Sequence, residues 1–436
     1  MEKNYISFTE DMKKDYTILV PTMLPMHFKM IISVLRTYGY NMELLDENGP
    51  QVADTGLKYV HNDTCYPAIL IIGQFMRAIL SGKYDPHKVA LVMFQTGGGC
   101  RASNYISLLR KALKKAGYGY VPVISFSLAG IEDHPGFKLT LPKLHGMLYA
   151  VIYGDLLLSL VNQCRPYEKH KGDAQALADR WTDELGKQLG SGAKIRYRNI
   201  KENYGKIISD FANIPMNRRK AVKVGIVGEI FVKYSPLGNN NLEEFLVSEG
   251  AETVVPGLMD FCLYCVYNNI NDYRLYKRGN VFYMLACKAV YKFVCRKKRD
   301  VSRMIGENGN FEPFTDFDET AHLSEGYIGT GTKMGEGWLL TAEMIELSNA
   351  GIKNIVCTQP FGCLPNHICG KGMMKIIKEK NPDVNIVAID YDAGATQVNQ
   401  INRLKLMLAN AKTSEPSPRS ARPLPTENAE KETVKV

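Results

Sequence analysis

Lys88-Val-Ala-Leu-Val-Met-Phe94 is a continuous apolar run, and the chain continues through Gln95-Thr-Gly-Gly-Gly-Cys100 and Arg101-Ala-Ser-Asn-Tyr105 into a helical pattern at 104–116. An apolar run of this length, bounded by a glycine-rich turn, indicates a strand that is buried on both faces. A second such strand follows at 121–126. The order of strand, glycine-rich loop, helix and strand predicts one unit of a parallel sheet with helices on its faces.

The same alternation extends to both sides of this unit. Strand patterns cover 16–21, 41–45, 223–227, 252–255, 353–358 and 385–389, and helical patterns cover 27–38, 67–80, 261–294 and 395–411. Between these regions the chain is mostly helical, and its last residues are rich in Ser, Pro, Glu and Lys. We therefore expect a Rossmann-like α/β domain at 1–140, a helical connecting region at 141–217, a second α/β domain at 218–412 and a disordered tail at 413–436.

Composition and charge restrict the class of protein. No apolar run reaches the roughly 18–20 residues that span a bilayer, and the longest apolar-rich stretch, 147–161, contains Asp155 and predicts a buried helix. The first fifteen residues are polar and charged, so we expect a cytoplasmic protein with no membrane partner.

The formal net charge is +9, but the densest basic run, Arg296-Lys-Lys-Arg299, is short. We interpret this charge as solvated surface and expect no nucleic-acid partner.

Three segments with a cysteine each lie directly before a predicted helix. They are His61-Asn-Asp-Thr-Cys65-Tyr-Pro67, Gln95-Thr-Gly-Gly-Gly-Cys100 and Gln359-Pro-Phe-Gly-Cys363-Leu-Pro-Asn-His367. Ligands of open α/β sheets bind at the carboxyl ends of the strands, and helix N-termini favour a thiolate or an anionic cluster. Glycines 97–99 allow the backbone to approach an inorganic centre closely. Cys65, Cys100 and Cys363 are therefore candidate ligands of one centre.

The identity of such a centre is left open by the residue types. Thiolates select iron–sulfur clusters, zinc or copper(I). A compact zinc site normally shows closely paired ligands such as C-x₂-C, whereas Cys65 and Cys100 are 35 positions apart. Three separated thiolates would suit a cubane with one iron left for a non-protein ligand. Spacing alone, however, favours buried or loop cysteines without any ligand over a cluster.

A family resemblance is carried by four motifs together. The stretches N-D-T-C-Y-P-A, Q-T-G-G-G-C-R-A-S-N-Y, G-E-G-W-L-L and Q-P-F-G-C-L-P-N-H resemble the 2-hydroxyacyl-CoA dehydratase superfamily, in particular the dehydratase-like portion of large fused activase-related proteins. The resemblance spans roughly residues 16–412. It implies two flavodoxin-like domains and a [4Fe-4S] cluster held by Cys65, Cys100 and Cys363. Related proteins carry a double-cubane [8Fe-9S] cluster instead, which needs more cysteines.

Other polar and sulfur-containing residues are candidates for supporting roles. Arg101 could offset the negative charge of a cluster, and Glu229 and His367 are candidate catalytic groups in the same crevice. Surface exposure for Arg101 and helix capping or packing for His367 are the alternatives. Cys357 ends an apolar strand and suits a core position, whereas Cys369 could approach the cluster. The C-x-x-C pair Cys262 and Cys265 is expected to pack in a helix core, and Cys164, Cys287 and Cys295 lack any ligand context.

The resemblance also implies a function. A separate ATP-hydrolysing activator with its own cluster would deliver a low-potential electron, and this chain would then act on an acyl-CoA-type substrate as a dehydratase-like lyase of anaerobic metabolism. The alternatives are an ATP-dependent small-molecule reductase with a double-cubane cluster and a non-enzymatic electron-transfer or cluster-carrier protein. The Gly331–Gly337 stretch lacks the G-K-[ST] ending of a phosphate loop, so we expect no ATP hydrolysis by this chain. A homodimer or a related partner subunit is open, and Arg101 and Arg110 are candidate contacts for the activator.

Overall fold

Two parallel sheets organise the computed structural model, which describes residues 5–94, 99–126, 132–217 and 220–414. Within these residues each sheet has four strands, and all the paired strands are parallel. The first sheet contains β1 (Thr17–Pro21), β2 (Asn41–Leu45), β3 (Val89–Phe94) and β4 (Val123–Phe126). The second contains β5 (Lys223–Gly228), β6 (Glu252–Val254), β7 (Asn354–Pro360) and β8 (Asn385–Tyr391).

The strand order is the same in both sheets, β2-β1-β3-β4 in the first and β6-β5-β7-β8 in the second. This order matches the first four strands of flavodoxin-like sheets. It reverses between β1 and β3 and between β5 and β7, and ligands of such sheets bind at the carboxyl ends of strands at these points. The structure thus confirms the predicted α/β class with two flavodoxin-like parallel sheets joined by helices.

Helices cover the sheets and connect them. The first half contains α1 (Met12–Asp15), α2 (Pro25–Arg36), α3 (Pro50–Tyr59), α4 (Tyr66–Leu80) and α5 (Tyr105–Lys115), followed by α6 (Leu141–Cys164), α7 (Asp173–Leu189) and α8 (Tyr197–Ala212). The second half contains α9 (Ile230–Tyr234), α10 (Pro236–Asn239), α11 (Leu242–Ser248), α12 (Leu258–Tyr276), α13 (Val281–Asn308), α14 (Phe317–Leu323), α15 (Trp338–Asn349), α16 (Met374–Lys380) and α17 (Gln397–Ser414). Short helical turns occur at Pro86–Lys88, Arg101–Asn104, Asn366–Gly370 and Lys371–Met373.

Helices α3 and α4 pack closely against each other. A Cβ atom on Gly73 would lie 2.1 Å from the Val52 carbonyl oxygen, and one on Gly56 would lie 2.1 Å from that of Ile69. These glycines therefore let the two backbones approach to a distance that no side chain permits. This packing fixes the position of α4. It therefore also fixes the position of Cys65, which directly precedes the helix.

Helix α6 belongs to the core. It is long and apolar enough to cross a membrane, but 72% of its most apolar window is buried inside the protein. Asp155, in its middle, accepts hydrogen bonds from the Leu258 and Met259 N–H groups at 2.8 and 2.9 Å and lies 2.9 Å from His27 Nε2. The buried carboxylate thus caps α12 and links α6 to α2, which agrees with the buried helix predicted for this stretch.

Three sequence-based expectations need correction in the second half. The helical pattern at 261–294 forms two helices, α12 and α13, because the chain turns at Lys277–Asn280, where Lys277 and Gly279 have φ of 54° and 89°. The basic run at 296–299 is not all solvated, since Lys298 is buried and paired with Asp260. Helix α17 ends at Ser414, beyond the expected start of the tail at 413. Residues 415–436 lie outside the described residues.

Candidate functional site

Cys65 is the residue that immediately precedes α4. Its backbone is extended, its carbonyl accepts the Ala68 N–H at 3.0 Å, and Pro67 stands in the first turn of the helix, where the lack of an N–H costs nothing. The side chain is only 4% exposed, and its Sγ lies 2.9 Å from the hydroxyl of Tyr105 at the start of α5. The thiol of Cys65 is therefore held between the N-terminal ends of two helices.

Cys363 is brought against Cys65 by its own loop. The Tyr66 N–H donates to the Phe361 carbonyl oxygen at 3.0 Å. A Cβ atom on Gly362 would lie 3.1 Å from the Cys65 Cα, and Gly362 has a φ of +70°. Both the left-handed conformation and the close approach require glycine here. The two cysteine segments, which belong to different sheets, are thus in direct backbone contact.

Cys100 is joined to the same region through the loop before α15. The Gly99 N–H points to Met334 Sδ at 2.9 Å, and a Cβ atom on Gly335 would lie 3.7 Å from Cys100 Sγ and 3.0 Å from Pro365 Cγ. The Met334–Gly335 loop therefore lies between Cys100 and the segment that follows Cys363. Gln95–Gly98, which includes two of the three glycines expected to approach an inorganic centre, lies outside the described residues.

The electrostatics show that the three thiols are neighbours. Burial raises the pKa of all three, that of Cys100 to about 11. A negative charge on Cys65 adds to the effect at Cys100, and one on Cys100 adds to it at Cys363. Within the described part of the chain, however, no three His, Cys, Asp or Glu side chains are placed to bind one metal ion together. The thiols are close enough to interact but not arranged around a single ion.

Two buried carboxylates face the cysteines. Glu229 Oε2 accepts the Val232 N–H at 2.9 Å, and Glu336 Oε1 accepts the Ile230 N–H at 2.9 Å, so both satisfy the N-terminal donors of α9. Burial, together with the charge of Glu336, raises the pKa of Glu229 to about 8. After burial, the charges of the two glutamates further raise the pKa of Cys100 and Cys363. The raised pKa favours the protonated form of Glu229, whereas its charged form would oppose thiolate formation nearby.

Glu336 is a site residue to which sequence reasoning assigned no role. In the sequence it belongs to the glycine-rich stretch Gly331–Gly337, which lacks the ending of a phosphate loop. Its position one residue after Gly335 in the G-E-G-W-L-L motif was the available signal. Glu229, by contrast, follows β5, beside the point where the strand order of the second sheet reverses, and was expected there. The two carboxylates come from segments 107 positions apart, so only the fold brings them together.

Arg101 and His367 each contact a cysteine segment. The Arg101 guanidinium donates to the Asp63 carbonyl at 2.5 Å, which ties the Cys100 segment to the Cys65 segment. His367 is exposed, and its Nδ1 lies 2.8 Å from the Cys363 carbonyl oxygen and 2.8 Å from Gln359 Nε2. His367 thus braces the turn that carries Cys363, and its expected catalytic role stays a prediction.

The further cysteines divide into core positions and a neighbour of the site. Cys357 is fully buried in β7, as its apolar strand predicts. Burial and then the charge of Glu336 raise the pKa of Cys369 to about 11, which places Cys369 in electrostatic contact with the site. Cys262 packs partly against the core, whereas Cys265 is exposed on α12, so the expectation of helix packing is wrong for Cys265.

Large apolar side chains border the cysteine segments. Phe361, Leu364 and Ile368 flank Cys363 and are all exposed, and Met334, beside Gly99, is exposed as well. A site with buried thiols and an exposed apolar rim suits an apolar ligand or a partner protein.

A scan against protein-family models finds no match to this chain, and a search of curated proteins finds none with significant sequence similarity.

Proposed function

We propose that this protein binds a [4Fe-4S] cluster through Cys65, Cys100 and Cys363 and acts on an acyl-CoA-type substrate after receiving a low-potential electron. The observation that carries the proposal is the meeting of three cysteine segments from two sheets, shown by the Tyr66–Phe361 hydrogen bond and the approach of Gly335 to Cys100 Sγ. These are the three residues that the resemblance to 2-hydroxyacyl-CoA dehydratases assigns to the cluster.

The donor set fits a cluster better than a single ion. In a cubane each thiolate binds a different iron, so the sulfur atoms need to be only roughly 6–7 Å apart. Thiols that interact electrostatically without converging on one point suit such a group. Each cysteine also precedes a helical segment, whose N–H groups stabilise an anionic centre. Negative charge on Glu229 or Glu336 would oppose the binding of an anionic cluster, because it disfavours further negative charge nearby.

The chain's own residues supply the remaining functions. A cluster with three protein ligands supplies an open iron as a Lewis acid and a one-electron reductant. Glu229, whose raised pKa favours the protonated form, would be suited to protonate a leaving hydroxyl group. The exposed apolar rim of Phe361, Leu364 and Ile368 is suited to exclude water from the site once it is covered. This combination supports a dehydratase-like lyase in the cytoplasm.

One alternative function is supported by a specific residue. A reductase with a double-cubane cluster requires more thiolates than three, and Cys369 shares the electrostatic influence of Glu336 with Cys100 and Cys363. A non-enzymatic electron carrier is a further alternative. It would require a fully ligated cluster, whereas the three proposed cysteine ligands leave one iron open.

Iron and acid-labile sulfide analysis after anaerobic purification tests the proposal and separates the alternatives. Four iron and four sulfide per chain are expected for a single cubane, together with an electron paramagnetic resonance signal that changes when an acyl-CoA is added. A content near eight iron would favour the double cubane, and a signal indifferent to every ligand would favour the carrier. A protein that stays iron-free after anaerobic reconstitution would overturn all three.

A further inference from the structure

The outer face of α13 is apolar and uncovered. Along its first three turns the exposed residues at helical spacing are Phe282, Leu285, Ala286, Ala289, Val290 and Phe293. Positions i, i+3, i+4, i+7, i+8 and i+11 share one face of a helix. The opposite face, with Tyr291 and Cys295, is buried against the rest of the protein. A wide apolar face of a helix is normally covered, and this face has no partner among the described residues of the chain.

The uncovered surface is as large as a protein interface. Eight large apolar side chains of the α12–α13 hairpin are between 41 and 79% exposed: Leu275, Tyr276, Val281, Phe282, Tyr283, Leu285, Val290 and Phe293. At roughly 150–200 Å² for a large side chain, they leave about 650–850 Å² in water. A typical monomer exposes apolar patches of about 300–600 Å² at most, and one side of a stable interface buries about 800 Å².

The order of side chains along the stripe identifies the occupant. From either end it runs large, large, small: Phe282, Leu285 and Ala286 are mirrored by Phe293, Val290 and Ala289. An antiparallel copy of the same helix, related by a two-fold axis midway between Ala286 and Ala289, would place Phe282 opposite Phe293 of the partner subunit. The small residues would then meet at the axis, where helix backbones must approach closest. A self-complementary surface of this kind is what a two-fold interface requires.

We infer that α13 is the interface of a homodimer, in which two copies of this chain pack their outer α13 faces antiparallel. This inference is independent of the cluster. The hairpin also adjoins the site, because Asn271 Nδ2 donates to Thr330 Oγ1 at 2.8 Å and Lys333 is paired with Asp272. Dimerisation through the hairpin would therefore stabilise the loop that leads to Met334 and Gly335.

The charge of the hairpin sets the salt dependence of this dimer. Residues 273–299 contain nine Lys or Arg and no Asp or Glu. The charge of this segment therefore equals the net charge of +9 of the whole chain. The short basic run at 296–299 is thus part of a longer basic segment. Lys288 and Lys292 lie beside the apolar stripe, so two copies repel each other at low salt. Because ions screen exposed charges, the dimer becomes tighter as salt rises, whereas binding to any anionic surface becomes weaker.

Sedimentation velocity of the anaerobically purified full chain tests the inference. Wild-type protein is expected to be a dimer that dissociates on dilution, less readily in high salt. Phe282→Glu and Phe293→Glu should each raise the dimer dissociation constant by roughly 30-fold or more, as expected for a hot-spot aromatic. Leu141→Glu, at an 82% exposed position on α6, is the matched control and should leave it unchanged. Iron content should stay at the wild-type level in all variants.

The register is tested by a double variant. Phe282→Glu with Phe293→Lys places opposite charges together only in the antiparallel arrangement, so it should dimerise more tightly than either single variant. Failure to do so would overturn the register and the inference with it. A wild-type protein that is monomeric at all concentrations would also overturn it. So would a monomer that binds phosphatidylserine-containing vesicles in a Phe282-dependent manner, since α13 would then be a membrane contact.

Discussion

The Tyr66 N–H donates a hydrogen bond to the Phe361 carbonyl oxygen at 3.0 Å. The donor belongs to the first turn of α4, where N–H groups have no partner inside the helix. The acceptor follows β7 of the other sheet. The Tyr66 N–H of the first sheet region is thus satisfied by the Phe361 carbonyl of the second. Tyr66 directly follows Cys65, and Phe361 lies two residues before Cys363. The candidate site exists only where the two units meet.

Removal of any one of the three cysteines should remove the cluster. Cys65→Ala, Cys100→Ala and Cys363→Ala are each expected to lose most of the bound iron and sulfide, because two remaining thiolates hold a cubane poorly. Cys262→Ala and Cys295→Ala are the controls and should retain both. Metal analysis and visible absorption after anaerobic reconstitution provide the measurement. Equal iron in the Cys363→Ala variant and in wild type would contradict the ligand assignment.

Gly362→Ala should impair the site more than its backbone strain explains. A left-handed conformation costs an L-residue roughly 1–2 kcal/mol, and Gly351→Ala, at φ +79° in open space, is expected to show that cost alone. At Gly362 the added Cβ atom would also press on the Cys65 Cα at 3.1 Å. We expect larger thermal destabilisation for Gly362→Ala than for Gly351→Ala, and reduced iron content only for Gly362→Ala. Full iron content in that variant would show that the approach of the two segments is not needed.

Glu336→Gln should make the thiols of the metal-free protein more reactive. Burial and then the Glu336 charge raise the pKa of Cys363, and the same charge contributes at Cys100. Loss of the charge lowers the pKa of both thiols and raises the thiolate fraction at mildly alkaline pH, while the amide oxygen can still accept the Ile230 N–H. The rate of reaction with a disulfide reagent should rise several-fold, with Glu325→Gln, outside the site, as the control. An unchanged or slower rate would contradict the arrangement.

Arg110 is paired with Glu132 within the fold, and we expect this pair to stabilise the protein in a pH-dependent manner. Its guanidinium binds both oxygens of Glu132 at 2.7 Å, and its expected contact with an activator stays a prediction. Although burial opposes it, this pairing, together with His134, lowers the pKa of Glu132 to about 2.

Because the folded pKa of Glu132 lies below the unfolded value, the contribution is fully present above about pH 5 and disappears as pH falls towards 2. Glu132→Gln should therefore cost about 2–3 kcal/mol at pH 7 and almost nothing near pH 2. Urea denaturation over this range provides the measurement. A cost that did not change with pH would show that the charge is not the cause.

Reduction of the proposed cluster should require a separate ATPase. For one electron, about 30 mV corresponds to roughly 0.7 kcal/mol, so a gap of several hundred millivolts needs ATP-scale free energy. The sequence contains no G-x-x-x-x-G-K-[ST] motif to supply it. Anaerobic reduction is therefore expected only with an activator protein and MgATP present. Efficient turnover from a ferredoxin without ATP, or ATP hydrolysis by this chain alone, would defeat the proposal.

Local patterns in the sequence were sufficient for the sheets. The apolar runs at 88–94 and 385–389 form β3 and β8. Strands of a parallel sheet are covered on both faces, so a continuous apolar run is enough to predict them. Helix α3 is not predicted from the sequence, since it begins at Gly49-Pro50 and contains Gly56, which are typical of a loop. The turn between α12 and α13 could have been found from Gly279-Asn280, a pair typical of turns.

The sequence by itself determined the α/β class and the location of three cysteines at the starts of helices, because both depend on periodicity and residue type within a few turns. Only the tertiary structure decided which distant groups share the site. The Gly99 N–H reaches Met334 across 235 positions, and Glu336 joins Glu229 at α9. The outer face of α13 was likewise hidden in the sequence, since an apolar stripe indicates burial without saying by what. Such contacts depend on how the two sheets pack, and packing is a property of the folded chain and not of any one segment.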